Sequence, residues 1–93
     1  MAAAAARRWR VAGVVQGVGF RWFVASTGRH LDLRGFARNL PDGTVEVVAA
    51  GAPEALDRLE RELRVGPAGA SVASVVRLEA TVEEAGDKRF QVK

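Results

Sequence analysis

The run Gly13-Val14-Val15-Gln16-Gly17-Val18-Gly19-Phe20-Arg21 places three glycines in a short segment that ends on an arginine. Where Cβ atoms are few, backbone N–H groups approach an anion closely. A following helix adds partial positive charge at its N-terminus, and a guanidinium adds a full charge with a planar fork of donors. The chemistry these residues suit is the gripping of a phosphate. Asn39 is the second polar group that stands out, beside the turn Leu40-Pro41-Asp42-Gly43. Asparagine also favours such corners for purely conformational reasons.

Positioning these groups falls to a short series of elements. Trp9, Val11 and Gly13 alternate with Arg8, Arg10 and Ala12, the pattern of a strand. Phe20, Phe23, Val24, Thr27 and Leu31 fall at helical spacing. Leu33 to Asn39 and Thr44 to Ala50 read as strands joined into a hairpin by the proline–glycine turn. Pro53 opens a second helix whose apolar stripe is Leu56, Leu59 and Leu63. On it, Glu54–Arg58, Asp57–Arg61 and Glu60–Arg64 are acid-then-base pairs at i, i+4. Val65-Gly66-Pro67 ends that helix. Val76, Leu78, Ala80 and Val82 alternate as a fourth strand, Ala85 to Lys88 reads as a loop, and Phe90-Gln91-Val92 as a short edge strand. The order is β-α-β-β-α-β. The expected fold is α+β, a ferredoxin-like βαββαβ sandwich with an antiparallel four- to five-stranded sheet and two helices on one face.

A chain of 93 residues with 48% apolar residues is of single-domain size with one modest core. Residues 1–7, alanines followed by arginines, are expected to form a disordered leader to a domain over 8–93. No stretch approaches the roughly 20 apolar residues of a membrane helix. With no cysteine, disulfides, zinc–thiolate sites and cysteine nucleophiles are excluded, and a cytoplasmic location is the expectation. The formal net charge of +3 suits anionic substrates or nucleic acid, while most of the charges are expected to form a solvated surface. His30, the single histidine, falls at the end of the first helix, where a surface role is expected. One histidine cannot build a histidine-rich metal site, and none is expected.

Val15-Gln16-Gly17-Val18-Gly19-Phe20-Arg21 resembles the acylphosphatase signature around its arginine. Gly35-Phe36-Ala37-Arg38-Asn39-Leu40-Pro41-Asp42-Gly43-Thr44-Val45-Glu46-Val47 resembles the second signature, which carries the asparagine. The resemblance runs from about Trp9 to the end of the chain. Gly28 and Asp32 stand where the family often has alanine and glycine, and Phe36 stands where tryptophan is frequent. The resemblance implies hydrolysis of the carboxyl–phosphate bond of small acyl phosphates, such as acetyl phosphate, carbamoyl phosphate or 1,3-bisphosphoglycerate. It implies no cofactor and no metal. It implies that Arg21 and the amides of Val15, Gln16, Gly17, Val18, Gly19 and Phe20 bind the phosphoryl group, and that Asn39 orients the attacking water. Gln16 acts through its backbone alone or also braces the loop with its side chain; the residues leave both open. The partners expected are acyl phosphate and inorganic phosphate, with no nucleic acid, no membrane and a monomeric chain.

The alternatives are a non-catalytic phosphate-binding module and an RNA-binding one. Gly17-Val18-Gly19-Phe20-Arg21-Trp22-Phe23 has the look of an RNP1 run, which belongs on a central strand. Here it precedes the first helix, and Thr44 to Ala50 carries no aromatic.

Overall fold

A computed structural model describes residues 4–93. The elements are β1 (Ala5–Val14), α1 (Phe20–His30), β2 (Arg34–Asn39), β3 (Val45–Gly51), α2 (Pro53–Val65), β4 (Ser71–Leu78), α3 (Val82–Ala85) and β5 (Gln91–Val92). The five strands form one sheet in the order β4-β1-β3-β2-β5. Each adjacent pair among its first four members is antiparallel, as the ferredoxin-like reading expects. β5 is the exception, running parallel to β2 with Phe36 opposite Gln91 and Ala37 opposite Val92.

β3 is the central strand. Val45 to Ala50 are all buried, as they must be in a strand covered on both faces. On one face Trp9, Val11 and Val47 meet Phe20 and Val24 of α1 and Leu56, Leu59 and Leu63 of α2 in the main core. On the other, Phe36, Val48, Ala50 and Ala85 form a smaller cluster beneath α3.

Several sequence expectations are corrected. The predicted leader is part of the sheet from Ala5 on: Ala5, Ala6 and Arg7 pair with Gly51, Ala50 and Ala49. The backbone groups of the long β3 offer ladder bonds that outweigh alanine's weak strand preference. Residues 1–3 of that leader lie outside the described residues. β4 starts at Ser71 and stops at Leu78, so Ala80 and Val82 are not in it. Its buried residue is Val75, while Val76 and Leu78 are exposed. Val82–Ala85 is instead a helical turn, closed by a capping box: the Thr81 hydroxyl accepts from Glu84 N, and the Glu84 carboxylate accepts from Thr81 N. The phase of an alternation cannot be read from one edge strand alone, since an edge strand's neighbours lie on one side only.

Of the three helical ion pairs expected on α2, only Glu60–Arg64 is present among the described residues, at 3.5 Å. Asp57 turns instead to Arg7 of β1 at 2.7 Å. Glu60 is a hub: it accepts from the Trp9 indole at 2.8 Å and from Arg77 of β4 at 2.8 and 3.1 Å. These contacts tie α2 to both strands beneath it. On the opposite face Arg8 bonds Glu46 at 2.5 Å and also Glu84, securing α3 to the sheet.

Candidate active site

β1 runs alongside β4 until the register shifts between Ala12 and Gly13. A Cβ at Gly13 would lie 2.1 Å from the Ser71 carbonyl oxygen, so only glycine permits that approach. The chain then leaves the sheet. Buried Val15 and buried Phe20 pin the two ends of the loop in the core. Between them Gly17 and Gly19 are exposed and left-handed, with φ of 75° and 77°. Open space lies where a Cβ of either would point.

Gly19 is the N-cap of α1, and the first helical bond runs from Phe23 N to Gly19 O at 3.0 Å. Among the described residues no side chain caps this end, and no acidic residue sits in its first turn. The orphan N–H groups of an uncapped helix start take an anion favourably. Arg21 follows in that first turn. Its Nη1 donates to the main-chain oxygen of Lys93 at 2.6 Å.

Asn39 closes β2 and pairs with Val45 of β3. The turn beyond it is built as the sequence expects: Gly43 N donates to Leu40 O at 3.1 Å, and Leu40 N donates to Thr44 O at 2.9 Å. Asp42 accepts from both the Thr44 amide (3.0 Å) and the Thr44 hydroxyl (2.6 Å), and these bonds hold its carboxyl below the usual range. The side-chain oxygen Oδ1 of Asn39 is buried and has no hydrogen-bond partner among the described residues. A buried acceptor left unsatisfied by protein is costly and points to a solvent or ligand partner.

Two connections bring the arginine and asparagine motifs to one end of the sheet. Lys93, which accepts from Arg21, donates its own N–H to Ala37 O at 2.9 Å, two residues before Asn39. Gln16 reaches from the glycine loop to the hairpin, its Nε2 donating to Leu40 O and Thr44 O, both at 2.9 Å. The side chain of Gln16 is therefore a brace. The strap at residues 90–93 is a part of the site that sequence reasoning did not anticipate. Its only sequence signal is the short edge strand, which says nothing of what its carbonyls touch.

A broad concavity lies elsewhere. An open groove of about 1220 Å³ between α1 and α2 is lined by residues including Trp22, Arg29, His30 and Arg58. None of its residues belongs to the glycine loop or the hairpin turn. His30 is exposed there, as expected for a surface histidine. The RNP1-like run occupies the loop and the first turn of α1, not a central strand. A nest of amides needs no deep cavity to hold a small anion. Among the described residues no three His, Asp, Glu or Cys side chains converge as metal ligands.

Residues 7–92 match the acylphosphatase family. An acylphosphatase of Chlorobaculum tepidum is 49% identical over 73 residues, which make up 78% of this chain and 79% of that protein. The solved structure of an acylphosphatase from Coxiella burnetii superposes with a TM-score of 0.89 at 36% identity, covering 97% of this chain and 93% of that one. The Bacillus subtilis acylphosphatase superposes with a TM-score of 0.83 at 32% identity, covering 98% and 99%.

Proposed function

Since this chain belongs to the acylphosphatase family and hydrolyses acyl phosphates to a carboxylate and inorganic phosphate, we propose that Arg21 and Asn39 carry the reaction and that the amides of Val15, Gln16, Gly17, Val18, Gly19 and Phe20 cradle the phosphoryl group. The observation that supports this most is the pairing of an uncapped, left-handed glycine loop with a buried Asn39 oxygen that lacks a partner among the described residues.

An acyl phosphate is a mixed anhydride whose leaving carboxylate departs without protonation. Water attacks phosphorus, the phosphorus–oxygen bond to the acyl group breaks, and its electron pair leaves on the carboxylate. The water's proton passes to a phosphoryl oxygen of the substrate itself. Charge spreads over the equatorial oxygens in such a transfer, so positioning and charge stabilisation supply most of the catalysis. The amides and the Arg21 guanidinium stabilise that charge. The Asn39 carboxamide aims the water, its oxygen accepting a water hydrogen and so turning a lone pair toward phosphorus. On this reading the bond from Arg21 to Lys93 O holds one side of the guanidinium fork and leaves the other donors for phosphate.

The reading extends to one domain that takes in β1 from Ala5 onward, working as a monomer in the cytoplasm without nucleic acid, cofactor or metal. Every group given a role lies in a single chain, and among the described residues no helix is long and apolar enough to cross a membrane. The test is hydrolysis of benzoyl phosphate in excess chelator, beside a phosphomonoester. Cleavage of the anhydride alone, undiminished by chelation and inhibited by inorganic phosphate, is the expected result. Loss of turnover on chelation would sink the metal-free mechanism.

A further inference from the structure

We infer that the side chain of Gln16 is a positioning residue that locks Asn39 in register with the phosphate loop, and that it donates nothing to the phosphate. The inference rests on the reading that Asn39 orients the attacking water.

The carboxamide nitrogen of Gln16 has two N–H donors. They go to the carbonyls of Leu40 and Thr44, each at 2.9 Å. Each of those carbonyls already accepts one backbone donor, Leu40 O from Gly43 N and Thr44 O from Leu40 N. A carbonyl oxygen has two lone pairs. Both donors of Gln16 and both acceptors of the hairpin mouth are thus fully used. The side chain has no N–H left for an anion, and only its backbone amide remains available to the phosphate cradle.

The location of the brace gives it a function. Gln16 follows Val15, which is buried and fixed in the core. Leu40 and Thr44 come directly after Asn39 and directly before its ladder partner Val45. The phosphorus is held by one segment of chain and the water by another, and Gln16 supplies the direct side-chain link between them. A hairpin tip without that link can shift relative to the loop while its own backbone bonds stay intact. Misplacement of about 1 Å costs on the order of 10² in rate.

Three variants test this: Asn39→Ala, Gln16→Met, which keeps length but has no donor, and their combination. Gln16→Met is expected to lower kcat by about 10²-fold with much less change in the inhibition constant of inorganic phosphate. The double variant is expected to be no slower than Asn39→Ala, because the two residues act on one step. In the unmodified protein, the side-chain N–H resonances of Gln16 are expected to stay still on phosphate titration while backbone amides of residues 16–20 move. That measurement does not depend on any variant folding. Full turnover by Asn39→Ala would overturn the role of Asn39 itself. A slow Asn39→Ala made slower again by the full factor of Gln16→Met, or phosphate shifts at the Gln16 side chain as large as those of the loop amides, would overturn the brace alone.

Discussion

The ring of Phe90 fills the place that a side chain at residue 28 would occupy. A Cβ built on Gly28 would lie 2.4 Å from Cδ2 of that ring. Phe90 is fully buried, and its carbonyl accepts from Arg29 Nε at 2.8 Å. Helix α1 therefore holds the final strand at three points: Arg21 at Lys93 O, Gly28 under the Phe90 ring, and Arg29 at Phe90 O. At Gly28 the helix gives up propensity to seat the ring.

Gly28→Ala should therefore destabilise the protein, against the usual trend. Alanine gains about 1 kcal/mol of helix propensity over glycine. Overpacking against a rigid ring costs typically 1–3 kcal/mol. A net loss of about 1 kcal/mol is expected in urea unfolding, with recovery when Phe90→Leu is added. A Gly28→Ala protein more stable than the parent would contradict the packing described.

Arg21 and Asn39 should fail in different ways. Arg21→Ala is expected to lose at least about 10²–10³ in kcat/KM, the usual cost of removing one preorganised donor, and to weaken phosphate inhibition. Asn39→Ala is expected to lower kcat with phosphate inhibition nearly unchanged. Steady-state kinetics with inorganic phosphate as inhibitor separates the two. Near-normal hydrolysis by Arg21→Ala would refute its assignment.

Acid should weaken the protein through Glu60. The Arg77 guanidinium hydrogen-bonded to it, helped by the Trp9 indole, holds its carboxyl at about 2 against an ordinary 4.5, with burial opposing. The folded state thus prefers the ionised form. The associated stability is complete above about pH 4.5 and is lost as pH falls toward 2. Glu60→Gln should cost about 1 kcal/mol at pH 7, below the usual range for charged hydrogen bonds because Arg77 is half exposed and screened by solvent. Urea unfolding from pH 7 to pH 3 should show the gap between the two proteins closing below 4.5. A constant gap would assign the stability to something other than ionisation.

The first three strands, both long helices and the hairpin turn were legible because their signals are local: alternation, leucine spacing and the Pro-Asp-Gly corner. The two motifs were legible for the same reason, each being one continuous run. Glu60 shows where that ends. Its spacing from Arg64 advertises a helical pair, yet its closest bonds are to Trp9 and Arg77, which only the folded sheet brings near. Val76 and Leu78 alternate like a core face but stand on the exposed side of an edge strand. Thr81-x-x-Glu84 was a readable capping box, but a single turn has no periodicity to support it. Gln16 could be singled out by type, while its two acceptors became visible only with the hairpin in place.

The buried oxygen of Asn39 has one last consequence. An acceptor reserved for solvent or ligand serves the reaction and adds little to the fold. Replacing Asn39 with alanine should leave resistance to heat nearly unchanged while slowing turnover. A screen for thermal robustness alone would therefore be blind to losses at this position, and any engineering of the scaffold must select for turnover alongside melting temperature.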